Sequence, residues 1–101
     1  MEIKALKALA HPIRREIMEA LRSGAKTSGE LADLFDASWP TVSRHLATLK
    51  EADLITAERR STSIIYRANT SVLEDAAAAV MALIRADDGQ ELDDDMKEAA
   101  E

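Results

Sequence analysis

The chain has 101 residues, enough for one domain around one modest core. It contains no cysteine, which excludes disulfide stapling, thiolate metal sites and thiol redox switching. The net charge of −6 is carried at one end: residues 1–85 hold 12 Lys and Arg against 11 Asp and Glu, and residues 86–101 hold one Lys against eight acids. The near-neutral body can sort its charges by face, which matters more to a polyanionic partner than the total. No stretch approaches the roughly 18 apolar residues of a membrane span. Residues 1–10 lack the apolar run and cleavage site of a secretion signal, so a cytoplasmic protein is expected.

Ile3, Leu6 and Ala10 recur at helical spacing and predict a short helix over residues 2–10. Pro12 opens a second helix, whose stripe of Ile13, Ile17, Ala20 and Leu21 runs to about residue 22 before Ser23-Gly24 stops it. Thr27-Ser28-Gly29-Glu30 is a capping box, predicting a third helix to about Phe35 with Leu31, Leu34 and Phe35 inward. Ser38 caps a fourth, with Pro40 in its first turn and Val42, Leu46 and Leu49 toward the core. It should end near Ala52-Asp53, with Asp53 in the left-handed conformation. Ile55–Arg60 and Ile64–Ala68 then read as a hairpin around Ser61-Thr62-Ser63. Ser71-Val72-Leu73-Glu74 reads as a second capping box, opening a last helix to about Arg85 that is apolar nearly all round. Residues 86–101 read as a flexible acidic tail after a domain of residues 1–85. The expected fold is mainly α with a small β-hairpin, a winged helix-turn-helix. Residues 27–35 and 38–52 form its helix pair, and the hairpin is its wing.

Three segments in this order carry a resemblance: Leu9-Ala10-His11-Pro12-Ile13-Arg14-Arg15-Glu16-Ile17, Thr27-Ser28-Gly29-Glu30-Leu31-Ala32, and Pro40 to Ala52 followed by Asp53-Leu54-Ile55. Over residues 3–85 the chain resembles the ArsR/SmtB family of winged-helix repressors, and within it the SdpR-like autorepressor branch. Family members commonly have glycine where Asp53 stands and in the wing turn, and a small or polar residue where Trp39 stands. The resemblance implies a homodimer joined through its first and last helices, with two recognition helices on successive major grooves of an inverted repeat. Repression would be steric, at a promoter that includes the chain's own.

On that reading the fourth helix enters the major groove by its N-terminal part. With Val42, Leu46 and Leu49 inward, Pro40, Thr41, Ser43, Arg44 and Ala47 are expected to point away from the core. Arg44 can bond both acceptors on guanine, and Ser43 and Thr41 can reach base edges or phosphates. Trp39 could pack in the core or against DNA. The set of DNA contacts is completed by Thr27, Ser38, His45, Lys50 and the hairpin cations Arg59, Arg60 and Arg67. Of these, His45 could equally pack beside the helix, and Arg59 and Arg60 point to opposite faces of their strand.

The candidate dimer face is Ile3 and Leu6 with Leu73, Ala76, Ala77, Val80, Leu83 and Ile84, because an apolar terminal helix would leave a large patch bare on a monomer. His11 reads as a helix cap. Neither His11 nor His45 has a second ligand at zinc-site spacing on its own helix. The ligand sets of the family's metal sensors are missing, so no metal and no cofactor is expected. Nor is an enzyme, since there is no cysteine nucleophile and no glycine-rich phosphate loop. The partners expected are double-stranded DNA and a second copy. The alternative is a protein-interaction module on the same fold, an anti-repressor or antitoxin-like partner, for which the acidic tail is the argument.

Overall fold

A computed structural model describes residues 3–85; the tail expected at 86–101 lies outside the described residues. The helices run α1 (Ile3–Ala8), α2 (Pro12–Leu21), α3 (Ser28–Leu34), α4 (Trp39–Glu51) and α5 (Thr70–Arg85), with strands β1 (Lys26–Thr27), β2 (Ile55–Arg60) and β3 (Ser63–Ala68). The sequence patterns account for most of these boundaries. His11 holds extended backbone and its side chain accepts from the Ile13 N–H, so α2 begins at Pro12. Thr27 and Glu30 satisfy each other's backbone N–H groups across the first turn of α3, at 3.1 and 2.8 Å. Ser38 caps α4.

The end of α4 shows why Asp53 matters. Its φ is 61°, its N–H donates to Lys50 O at 2.9 Å, and the Leu54 N–H donates to Leu49 O at 3.0 Å. This pair of bonds turns the chain sharply and brings Leu49 and Leu54 together, both fully buried. The chain leaves this turn directly into β2.

Four expectations need correction. The sheet has three strands in the order β1-β3-β2, because Lys26 and Thr27 pair antiparallel with Tyr66 and Ile65. A two-residue strand has no alternation to read, so only the tertiary pairing reveals it. The wing turn has two central residues, since Arg60 pairs with Ser63. Ser61 there adopts φ 56°, the positive value a tight hairpin wants at its first central position. The last helix starts at Thr70, with the Leu73 N–H on Asn69 O, so Ser71 lies inside the first turn instead of capping it. Leu34 is 55% exposed. It is the final residue of a short helix, and Phe35 leaves in extended conformation to pack on the core in its place.

The core joins Ala5 and Ala8 of α1, Ile17, Met18 and Leu21 of α2, Leu31, Val42, Leu46 and Leu49, then Leu54, Ile55, Tyr66 and Ala76. No polar side chain is buried among the described residues. This core seats α4 from one side and leaves its opposite side free.

Candidate nucleic-acid interface

Four faces follow from the seating of α4. Val42, Leu46 and Leu49 are buried in the core. His45 and Thr48 face the α1–α2 side and, like Thr41 in the first turn, are half-buried. Ser43, Ala47 and Lys50 line a groove closed by Ala57, Ile64 and Tyr66 of the hairpin. Pro40 and Arg44 lie on the outward face and are exposed. Arg44 is therefore free as expected, whereas Ser43 is half-buried toward the wing. The reason is the helical step of 3.6 residues, which places position 43 midway between core and solvent.

The N-terminal turn of α4 is occupied by its own capping. Ser38 Oγ and Thr41 Oγ1 lie 3.0 Å apart, and Ser38 Oγ also accepts from the Thr41 N–H. The pair uses only one of its two hydroxyl protons between them, so one O–H is left to donate onward. Trp39 is 37% exposed and stands outside the core. It lines a cleft with Thr27, Ser28 and Gly29 at the start of α3 and with Arg59, Thr62, Ser63 and Ile64 of the wing. That cleft brings together Thr27, Trp39 and Arg59, three of the residues singled out from sequence.

The wing sorts its cations by face. Arg59 shares the inner face with Ala57 and Ile55, while Glu58 and Arg60 point outward beside Arg67. Glu58 accepts from Arg60 Nε at 3.2 Å and from Arg67 Nη1 at 3.4 Å. These bonds, Arg60's first, hold the Glu58 carboxyl below the usual carboxylate range. All three side chains are about half exposed or more, so the pairs steer geometry and add little stability. Their consequence is electrostatic: Glu58 offsets part of the positive charge on the outer face of the wing.

His45 does not reach outward. Its ring packs 4.2 Å from that of His11, tilted by 44°, and its Nδ1 lies 3.2 Å from Arg14 Nη1. Sequence reading missed Arg14, since nothing in the local pattern shows that residues 14 and 45 meet. Burial, with the charges of His11, Arg14 and Arg44, pushes the His45 pKa down.

The last helix, α5, presents bare apolar side chains. Val80 is 41% exposed, Met81 42%, Leu83 63% and Ile84 56%, with Ile3 of α1 at 58%. Ala77 is exposed too, Leu6 and Leu73 are half-buried, and Ala76 belongs to the core. Met81 was not among the residues expected on this face. Among the described residues no group of three or more His, Asp or Glu side chains could hold a metal ion, and no helix is long and apolar enough to cross a membrane.

Comparison with known proteins agrees with this geometry. A helix-turn-helix domain model matches residues 9–58. The transcriptional repressor SdpR of Bacillus subtilis is 41% identical over 70 residues, covering 69% of this chain and 78% of SdpR. The repressor SmtB of Mycobacterium tuberculosis is 40% identical over 62 residues, covering 61% of this chain and 46% of SmtB. The crystal structure of an ArsR family transcriptional regulator superposes with a TM-score of 0.80 at 22% identity, covering 86% of this chain and 96% of that one.

Proposed function

Because the chain belongs to the ArsR/SmtB family of helix-turn-helix repressors, we propose that this DNA-binding repressor acts as a symmetric homodimer that reads an inverted repeat through α4. The observation that carries the reading is the seating of α4. Its core stripe is fully engaged, its outward face offers Arg44, and the wing stands beside its N-terminal half with Arg59 on the near side. Arg44 reads guanine by a two-pronged hydrogen bond, and Ser38, Thr41 and Trp39 contact the flanking backbone. Lys50, Arg60 and Arg67 add phosphate attraction that depends on salt.

The bare stripe of α5, with Ile3, supplies the surface for the second copy. A two-fold axis there repeats α4 at about one helical turn of DNA, roughly 34–36 Å away. The protein then works in the cytoplasm by occupying promoter DNA, without catalysis and without a metal. The test is selection from a pool of random duplexes. Enrichment of a palindromic sequence supports the reading, and recovery of unrelated sequences at equal affinity refutes it.

A further inference from the structure

Arg14 of α2 reaches both neighbouring helices. Its Nε donates to the carbonyl oxygen of Ala8 at the end of α1, at 2.5 Å, and its Nη1 lies 3.2 Å from Nδ1 of His45 on α4. A guanidinium has only donors, so Nδ1 of His45 must offer a lone pair and its proton must sit on Nε2. His11 is committed in the same way. Its Nδ1 accepts from the Ile13 N–H at 3.1 Å as the cap of α2, and its ring packs against that of His45. Protonating Nδ1 of His45 removes an acceptor that the helix arrangement uses.

The surroundings of His45 oppose its protonation. Arg14 faces it from α2 and Arg44 neighbours it on α4. Lys4 and Lys7 of α1 line the adjoining cleft with Arg14, where Glu51 is the one anion among the described residues. On β2, which packs against the other flank of α4, Glu58 is engaged by Arg60 and Arg67. Burial is the largest cause holding the His45 pKa below the ordinary histidine value, followed by His11, Arg14 and Arg44. A histidine with a depressed folded pKa supports the fold above its unfolded value of about 6.5, and that support is lost as pH falls below it toward the folded value.

We propose that Arg14 is a positioning residue for α4, gripping it through the unprotonated Nδ1 of His45, and that sequence-selective DNA binding therefore weakens on acidification. The proposal rests on the reading of DNA by α4. Arg44, the side chain that reads, is the residue before His45, so any reseating of the helix at His45 displaces it. A displacement of that kind harms base contacts more than phosphate attraction, which tolerates small shifts. The opposite role for His45, direct contact with phosphate, has the opposite sign: protonation would add a cation and tighten binding.

The experiment measures affinity for a duplex chosen by the wild-type protein from a random pool, and for a scrambled duplex. It covers about pH 8 to about pH 5.5, the range in which histidine titrates, at two salt concentrations. Helical circular dichroism at each pH keeps unfolding apart from loss of grip. Wild type is expected to lose affinity for the chosen duplex severalfold on acidification while its helix content holds. His45→Asn, whose carboxamide oxygen stands close to the position of Nδ1 and still accepts from Arg14, is expected to flatten the profile. Arg14→Lys keeps the charge but loses the planar fork. It should bind the chosen duplex about tenfold more weakly, the equivalent of one charge-assisted hydrogen bond. Its salt dependence should be unchanged, since no phosphate contact is lost. A wild-type affinity that stays level or rises on acidification overturns the grip, and so does a shallower salt slope in Arg14→Lys. A wild-type protein that enriches no duplex overturns the reading by α4, and the grip with it.

Discussion

Replacing Leu83 by Glu should dissociate the proposed dimer. Fully burying a leucine is worth about 1.5–3 kcal/mol. Leu83 is 63% exposed in the protomer, so a partner that covers it gains about two thirds of that, roughly 1–2 kcal/mol. A symmetric interface loses the contribution twice, about 2–4 kcal/mol, which raises the dimer dissociation constant about 30- to 700-fold. Desolvating two carboxylates adds to the loss, so the range is a lower bound. Ala82 lies on the opposite side of α5 among Glu74, Asp75 and Ala78, and Ala82→Glu should leave the dimer intact. Sedimentation velocity over a concentration series measures both variants and the wild type. A wild-type protein that sediments as a monomer at micromolar concentration refutes the reasoning, as does a Leu83→Glu protein with an unchanged dissociation constant.

Three further outcomes follow from the wing and the reading helix. Arg44→Ala should cost about 1–3 kcal/mol and relax selectivity at one base position per half-site, checked by competition with single-base variants of the duplex. Glu58→Gln frees Arg60 and Arg67 and should tighten binding to random DNA. A plot of log affinity against log salt should steepen by up to about 1.8 per protomer if both guanidinium groups then meet phosphates, and parallel lines would place the outer face of the wing away from DNA. Asp53→Gly removes a left-handed backbone penalty of about 1–2 kcal/mol against a glycine entropy cost of about 0.5–1 kcal/mol. A net gain of roughly 0.5–1 kcal/mol is expected in denaturant unfolding.

Local signals told most about the helices. The cap at Thr27 with Glu30, the cap at Ser38 and the left-handed turn at Asp53 each leave a residue-level trace, because a helix end must satisfy its backbone within a few residues. Pairings distant in sequence leave none. The strand at Lys26–Thr27 exists only because Tyr66 and Ile65 lie beside it. The meeting of Arg14 with His45, 31 residues apart, is of the same kind. Leu34 shows a third limit. Helical periodicity marked it as inward, but α3 ends there and the core is filled by Phe35. For the site itself, sequence indicated the exposure of Arg44 and of the apolar stripe on α5, while the turn of Ser43 toward the wing and the inward seat of His45 depended on how α4 is rotated against its neighbours.

Methylation interference at guanine N7 tests the central claim most directly, because N7 lies in the major groove, where the proposed reading puts α4. On a duplex enriched by the wild-type protein, methylation should block binding at one guanine in each half-site. The two positions should be related by two-fold symmetry about 10 base pairs apart or a multiple of that, and the effect should vanish in Arg44→Ala. Interference unchanged in Arg44→Ala, or found at no guanine in the enriched sequence, would contradict the account.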